Sequence, residues 1–250
     1  GIEPGDEVLV PNITFIGSAN AVIMLGAVPV FVEVEKITFQ LDVEKAETLV
    51  NERTRAIMPV HLYGTSCNMR AVSAFALKHK LKIIEDAAQG IGASYYGQHV
   101  GGLSDVGCFS FFADKTLTTG EGGYVVCHDE EIYKRLCLLR NQGRFDRGSF
   151  IHPMIGYNFR MTDIQSAIGL AQFEKLDRII ERKADILARY AQCLSTVHQV
   201  RILGAEPGST HVPFRCVLMA ERAQDLMKYL GSQGIQTRGF FYPLHKQPCF

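Results

Sequence analysis

The sequence predicts an α/β protein in which a mainly parallel sheet is packed between layers of helices. Short apolar segments of strand length alternate with segments of helix length from Glu7 to Glu85. This alternation is typical of strand–helix–strand units, whose strands lie parallel to one another. Hydrophobic residues make up 47% of the 250 residues, which can supply the core of one large domain or of two modest ones.

The first half of the chain can be assigned element by element. Strands are predicted at 7–10, 28–34, 55–60 and 82–85. The helices between them begin at residues whose side chains can cap a first turn, namely Thr14, Asp42 and Asn68. These helices extend to about positions 26, 51 and 80.

The second half begins with strands and continues with long helices. Residues 95–98 predict a small hairpin, and the apolar strands 106–112 and 124–127 flank a glycine-rich turn. Helices are predicted at 129–141, from Thr162 onward and at 174–195, with a mobile or partner-contacting loop at 143–149. The last predicted elements are a strand at 211–219, a helix at 223–233 and the start of a strand at 235–238.

Composition and charge argue against several classes of protein. The 26 basic and 26 acidic residues cancel, so nothing indicates binding to nucleic acid or to an anionic membrane surface. The longest apolar run, 21–32, contains Pro29 and is shorter than the roughly 20 residues that span a bilayer. The seven cysteines are scattered and odd in number, which indicates free thiols in a reducing cytoplasm; no metal site is predicted.

Lys115 is a candidate nucleophile because it lies between two apolar strands. Burial lowers the pKa of a lysine, and a neutral amine can form a Schiff base with an aldehyde. The alternative is an ordinary β-hairpin in which Lys115 is an exposed loop residue. The glycines at 120, 122 and 123 indicate a tight turn with positive φ angles, which has a structural explanation of its own.

Asp86 is the second candidate, because it ends an apolar strand. Ligands of open α/β sheets bind beyond the carboxyl ends of the strands. A carboxylate there, followed further along the chain by a lysine after another strand, predicts pyridoxal phosphate, since the lysine holds the aldehyde and the carboxylate pairs with the pyridinium nitrogen. The alternative is that Asp86 caps a short helix over 87–90.

Six stretches in order resemble the DegT/DnrJ/EryC1/StrS-type sugar aminotransferases, a branch of the fold-type-I pyridoxal phosphate enzymes. They are Pro4–Val8, Pro59–Gly64, Glu85–Gln89, Phe109–Phe111, Lys115 with Thr118–Gly123, and Gly156–Met161. The resemblance implies a large cofactor-binding domain over 1–160, linking helices over 161–200 and part of a small C-terminal α+β domain over 201–250. It also implies that a phosphate-binding turn precedes residue 1 and that both ends are truncated.

The resemblance also implies roles for the residues that line the cofactor site. Gln89 would bind the phenolic oxygen of the cofactor, Ser110 its phosphate, and Phe15 would stack on its ring. Asn158 would reach the cofactor phosphate of the neighbouring subunit in a homodimer. Each has a plain alternative: a polar surface residue for Gln89, a buried strand serine for Ser110, core packing for Phe15, and a left-handed loop residue for Asn158.

Substrate-binding residues are predicted from the same resemblance. Arg238, Tyr242 and His245 belong to a segment that lies near the nucleotide-sugar site in the family, and Arg238 suits a diphosphate. His61 follows an apolar strand and is a candidate lining residue, although a hydrogen-bonded core histidine is the more common outcome. Asp114 departs from the family pattern, in which Thr or Asn often precedes the lysine, and a carboxylate this close would raise the pKa of Lys115 unless it points away.

The sequence thus predicts an aminotransferase that moves an amino group from glutamate to a nucleotide-linked 4-keto-6-deoxy sugar. The Thr-Thr-Gly-Glu-Gly-Gly form resembles members that act at C4, such as perosamine-type synthases, and implies a cytoplasmic homodimer in polysaccharide or O-antigen biosynthesis. One alternative is a pyridoxal-dependent sugar dehydratase of the same fold, whose members carry His in place of Lys115. The other is a regulatory relative without catalytic activity.

Overall fold

The computed structural model describes residues 1–146, 148 and 150–250. Its strands are β1 (Glu7–Pro11), β2 (Val28–Val32), β3 (Thr54–Ile57), β4 (Lys82–Asp86), β5 (Ser94–Tyr95), β6 (Gln98–His99), β7 (Val106–Ser110), β8 (Gly123–Cys127), β9 (Val200–Ile202), β10 (Ser209–Thr210) and β11 (Leu218–Ala220). Its helices are α1 (Gly17–Ile23), α2 (Val43–Ala46), α3 (Met69–His79), α4 (Glu130–Arg140), α5 (Asp163–Phe173), α6 (Leu176–Leu194) and α7 (Ala223–Ser232).

The central sheet has six strands in the order β2-β1-β3-β4-β7-β8. The first five of these strands pair in parallel, and β8 alone in this sheet runs antiparallel, against β7. The prediction of a mainly parallel sheet is therefore confirmed. The parallel arrangement brings the carboxyl ends of β1, β3, β4 and β7 to one edge.

Helices cover both faces of this sheet because its side chains alternate between two cores. Leu9 of β1 faces one core, where it packs in a cluster with Val72 of α3. Its neighbours Val8 and Val10 face the other core, which contains Val22 of α1. All five residues of β1 are buried, as expected for a strand inside the sheet.

Most of the predicted helix starts are confirmed. The side chains of Asp42, Asn68 and Asp129 accept hydrogen bonds from first-turn amides of their helices, and Thr162 forms a reciprocal capping box with Gln165. Thr14 is the exception, because α1 begins two residues later than a Thr14 cap would allow, with Ile16 at its N-cap. The buried Thr14 hydroxyl contacts the Ser18 hydroxyl at 3.3 Å instead of capping.

The C-terminal strands are shorter than predicted. Of the segment 211–219, only Leu218 and Met219 lie in a strand, β11, which pairs with β9, and residues 235–238 form no strand. A tertiary contact explains the difference, because the segment 212–214 forms backbone hydrogen bonds with the turn Leu62–Gly64, which follows β3. The Val212 amide donates to the Gly64 carbonyl at 2.9 Å, and the Phe214 amide donates to the Tyr63 carbonyl at 3.1 Å.

Two further predictions concern loops and membrane segments. The hairpin at 95–98 is confirmed as β5 and β6, turning through Tyr96 and Gly97 with positive φ. In the predicted loop 143–149, Arg147 and Ser149 lie outside the described residues. Across the part of the chain that is described, no helix is both long and apolar enough to cross a bilayer.

Candidate active site

The candidate site lies where the parallel strands end. Asp86 is the last residue of β4, Ser110 is the last residue of β7, and Asn12 follows β1. Lys115 lies in the loop that leaves β7. The topology of the sheet therefore gathers residues from three separate strands at one edge.

The carboxylate of Asp86 is fixed by contacts from two directions. Its Oδ2 accepts a 2.6 Å hydrogen bond from the Ser18 hydroxyl, and its Oδ1 accepts one of 3.1 Å from the Ala88 amide. Residues 87–90 form a turn and no helix, so the helix-cap alternative for Asp86 is wrong. Sequence reasoning missed Ser18, whose only signal is its place on the helix that precedes β2.

Lys115 is largely buried, with 14% of its side chain exposed. Its Nζ lies 4.5 Å from the centre of the Phe214 ring and 3.8 Å from Oδ1 of Asp114. Burial lowers the pKa of the Lys115 amine below its ordinary value; the charges of Asp114 and Asp86 oppose this shift, and that of Arg215 adds to it. The exposed-loop alternative for Lys115 is therefore wrong.

The loop that carries Lys115 is closed by its own backbone and threonines. The Thr119 amide donates to the Phe111 carbonyl at 3.0 Å, and the Thr118 hydroxyl donates to the same carbonyl at 3.1 Å. Gly120 and Gly122 have φ values of 77° and 150°, so the predicted positive φ is confirmed at these two glycines, whereas Gly123 begins β8 and has no positive φ. The glycine-rich segment thus has a structural role, which is to shape the loop that presents the lysine.

The side chains of Gln89 and Ser110 each accept one hydrogen bond from a backbone amide and keep a donor that can bind a ligand. Oε1 of Gln89 accepts a 2.7 Å hydrogen bond from the Tyr63 amide, which identifies the other end of the side chain as the NH2 group. That NH2 group has no hydrogen-bond partner among the described residues and can donate to a ligand. Oγ of Ser110 accepts from the Phe112 amide at 3.2 Å, so its proton is likewise free to donate.

Phe15 and Asn158 both lie at the surface of the described chain. Phe15 precedes α1 and is 63% exposed, so the core-packing alternative is wrong for this residue. Asn158 is exposed, and its Oδ1 accepts a 3.1 Å hydrogen bond from Nε of Arg160. Its backbone bridges to Asn141, which ties the segment 156–160 to the end of α4.

The C-terminal segment returns to the same edge of the sheet. Nδ1 of His245 lies 2.7 Å from Oδ1 of Asn12, which also accepts the His245 amide at 3.2 Å. An amide oxygen can only accept, so Nδ1 carries the proton and Nε2 remains available. Arg238 and Tyr242 are exposed. Burial raises the pKa of the Tyr63 hydroxyl, and the charge of Arg238 opposes this shift.

His61 does not line the site, which corrects the sequence-based assignment. Its side chain is 0% exposed, and its Nδ1 accepts a hydrogen bond from the Cys67 amide. Its Nε2 therefore donates to Glu85 at 2.8 Å, and Glu85 also accepts from the amides of Gly101 and Leu103 and from the Ser104 hydroxyl. Burial alone would raise the pKa of the Glu85 carboxyl, but these hydrogen bonds outweigh it and hold that pKa below its ordinary value.

The donors and charges at this edge fit pyridoxal phosphate. Asp86 supplies a fixed carboxylate, Lys115 a desolvated amine, and Gln89 and Ser110 supply free donors. When bound, the cofactor contributes an aldehyde and an electron-withdrawing ring. Asp86 would hold a proton at the ring nitrogen, and Lys115 Nζ would bond the aldehyde carbon and later carry a proton.

Known proteins resemble the chain in both sequence and fold. The sequence model of the DegT/DnrJ/EryC1/StrS aminotransferase family matches residues 1–250 of the chain. GDP-perosamine synthase of Caulobacter vibrioides is 41% identical over 256 residues, covering 100% of this chain and 69% of that protein. UDP-N-acetyl-3-dehydro-alpha-D-glucosamine 3-aminotransferase of Acidithiobacillus ferrooxidans is 40% identical, covering 100% of this chain and 67% of that protein.

A solved structure agrees with these relatives. The crystal structure of DesV of S. venezuelae matches with a TM-score of 0.95 and 37% identity, over 100% of this chain and 67% of DesV. Family, relatives and fold agree with the amine, carboxylate and donors found at the sheet edge. The chain belongs to the DegT/DnrJ/EryC1/StrS aminotransferase family and is a pyridoxal-phosphate-dependent sugar aminotransferase.

Proposed function

We propose that the protein transfers an amino group from glutamate to a nucleotide-linked 4-keto-6-deoxy sugar. The observation that carries this proposal is that a desolvated Lys115 amine and a fixed Asp86 carboxylate occur together at one edge of the sheet, in a chain 41% identical to a GDP-perosamine synthase. The glycine-rich loop keeps the Thr-Thr-Gly-Glu-Gly-Gly form that supports action at C4. The amino-sugar product would enter polysaccharide biosynthesis, and we propose that this polysaccharide is the O-antigen.

In this proposal the side chains at the sheet edge have distinct roles. Lys115 accepts and returns a proton at Nζ, and Asp86 holds the ring nitrogen protonated. Gln89 donates its free amide hydrogen to the phenolic oxygen, and Ser110 donates its hydroxyl to the phosphate. The exposed ring of Phe15 stacks on the cofactor ring.

The sugar substrate would lie beside the C-terminal segment. Arg238 is exposed and can pair with a diphosphate in a bidentate manner. The free Nε2 of His245 and the exposed Tyr242 hydroxyl provide further polar groups. This arrangement is consistent with a division into residues 1–160, which bind the cofactor, linking helices over 161–200, and a smaller unit over 201–250.

A substrate panel tests the proposed reaction. GDP-, UDP- and dTDP-linked 4-keto-6-deoxy sugars are incubated with glutamate and the cofactor-loaded protein, beside a UDP-linked 3-keto sugar as the matched comparison. We expect amino-sugar product from a 4-keto sugar and none from the 3-keto sugar, measured by mass spectrometry. Product from the 3-keto sugar alone would contradict action at C4, a real alternative because a 3-aminotransferase is 40% identical to the chain.

Two alternative functions are distinguished by absorbance and by product analysis. A regulatory relative without a cofactor would show no visible absorbance after incubation with pyridoxal phosphate and removal of the unbound cofactor. A sugar dehydratase would convert the sugar without taking nitrogen from glutamate. Lys115 argues against both, because a non-catalytic relative has no need of a desolvated amine and the dehydratases carry His at that position.

We further propose a cytoplasmic homodimer with shared active sites. The segment that contains Asn158 exposes large apolar side chains, namely Ile155, Tyr157 and Phe159. Exposed apolar surface of this kind marks protein–protein contacts. A two-fold axis would place one copy of Asn158 against the site of the partner. The scattered, odd number of cysteines supports a reducing compartment.

Mixed dimers test the shared site. Lys115→Ala and Asn158→Ala chains are unfolded together and refolded, and turnover is compared with each variant alone. If sites are shared, one site of each mixed dimer carries both changes and the other carries none. Since half of the dimers are then mixed, about a quarter of the wild-type activity should return. A mixture no more active than the separate variants, or an active monomer in sedimentation, would exclude shared sites.

A further inference from the structure

Asp114 and Arg215 form an ion pair directly beside the Lys115 amine. Nη2 of Arg215 donates to Oδ2 of Asp114 at 2.9 Å. The other carboxylate oxygen, Oδ1, is buried, accepts no hydrogen bond within the described residues, and lies 3.8 Å from Lys115 Nζ. This oxygen is close enough to attract the lysine charge but too far to bond it.

The position of Arg215 is fixed by contacts of its neighbours Pro213 and Phe214 with the turn after β3 and with α6. Phe214 is buried, and its amide bonds to the Tyr63 carbonyl. Lys183 of α6 donates to the Pro213 carbonyl at 3.2 Å, which holds the same segment from the other side. The Phe214 ring then lies under both cations, with Arg215 Cζ at 4.7 Å and Lys115 Nζ at 4.5 Å from its centre.

We propose that Asp114 and Arg215 are positioning residues for Lys115, in which Arg215 holds the Asp114 carboxylate off the lysine and so keeps the amine free to react. Neither residue needs to touch the substrate or the cofactor. The inference rests on the proposed role of Lys115 and explains why this chain tolerates a carboxylate directly before its lysine. The departure at Asp114 is matched by a cation that comes from a distant segment.

The charges around Lys115 give opposite expectations for the two single variants. The charged groups facing the amine are Asp114, Asp86 and Arg215, and Lys183 lies next to the Asp114–Arg215 pair. Arg215→Met leaves Asp114 with Lys115 as its cation, so the pKa of Lys115 rises. Asp114→Asn removes a negative neighbour and leaves Arg215, so that pKa falls. The double variant removes both effects, and because Asp114 acts on Lys115 more strongly than Arg215 does, the pKa of Lys115 then lies between its values in the wild type and in Asp114→Asn.

Competitive acetylation of the cofactor-free protein measures this directly. Acetic anhydride reacts only with the uncharged amine, and peptide mass spectrometry reports the labelling of Lys115 across a pH series, with the exposed Lys36 as internal reference. At neutral pH we expect labelling about three- to tenfold slower in Arg215→Met, faster by a similar factor in Asp114→Asn, and between the wild-type and Asp114→Asn rates in the double variant. Arg222→Met, which breaks a surface ion pair with Asp225, should leave Lys115 labelling unchanged.

The outcomes separate this inference from the proposed function. Single variants that leave labelling unchanged or shift it in one direction, or a double variant that is labelled as fast as Asp114→Asn, would overturn the pairing role. Unfolding curves by circular dichroism show whether a change is merely structural, since destabilisation would not reverse sign between the two variants. Opposite shifts in a protein whose Lys115 never captures the cofactor would leave the pairing intact and remove the proposed function.

Discussion

Replacement of Lys115 by alanine is expected to abolish covalent capture of pyridoxal phosphate and to lower turnover by on the order of a thousandfold or more. The variant removes the amine that would bond the aldehyde and carry the proton, while the surrounding loop keeps its backbone hydrogen bonds. The measurement is borohydride reduction of the cofactor-loaded protein, followed by peptide mass mapping. The wild type should carry the reduced adduct on Lys115, and the variant should carry none.

Lys183 provides a matched control for this experiment. Like Lys115 it is a partly buried lysine, and burial, aided by the charge of Arg215, also lowers the pKa of its amine. Lys183→Ala should retain the adduct on Lys115, because its own amine is bound to the Pro213 carbonyl. An adduct on Lys183, or on any lysine other than Lys115, would show that the cofactor is held elsewhere.

Replacement of Asp86 by asparagine is expected to preserve the fold and remove most of the activity. The side chains have nearly the same shape, and the Ser18 hydroxyl can accept from the new amide and donate to Thr14, 3.3 Å away. The charge that would keep the ring nitrogen protonated is lost, and removing such a preorganised electrostatic partner costs on the order of a hundredfold or more in rate. Thermal unfolding and steady-state turnover with glutamate measure the two effects separately.

Ser18→Ala is the companion variant, since it removes one hydrogen bond to Asp86 and leaves the carboxylate charged. Its activity should fall by roughly tenfold, less than in Asp86→Asn, because a hydrogen bond to a charged group contributes about 1.5 to 3 kcal/mol while the carboxylate charge itself remains. If Asp86→Asn turned over at nearly the wild-type rate, Asp86 would serve only to shape the turn at 87–90. If Ser18→Ala were as damaging as Asp86→Asn, orientation would matter more than charge.

Local sequence patterns were sufficient for most of the elements and for the two central candidates. Asp42, Asn68 and Thr162 cap their helices as predicted, and Asp129 caps the helix predicted to begin there, because a capping side chain acts within its own first turn. The alternation of strands and helices was sufficient for the parallel sheet, whose strand ends then bring Asp86 and the Lys115 loop to one edge. The glycines of the lysine loop were recognisable because positive φ is a property of single residues.

Local patterns failed where distant segments compete for the same groups. The strand predicted over 211–219 is shorter because the amides of Val212 and Phe214 donate to the carbonyls of Gly64 and Tyr63, and no sequence periodicity reports such a contact. His61 follows a strand like a site residue, yet it is enclosed with Glu85 inside the fold. Thr14 has the chemistry of a cap, but its hydroxyl contacts Ser18.

The sequence by itself determined which residue types could do the chemistry: a lysine and an aspartate after strands of one sheet, in the motif order of a known family. Only the tertiary structure decided how their charges are balanced. Arg215 lies 101 positions from Asp114, and His245 lies 233 positions from Asn12, so no local pattern could pair them. The physical reason is that burial and Coulomb interaction depend on distance in space, which the order of residues along the chain does not specify.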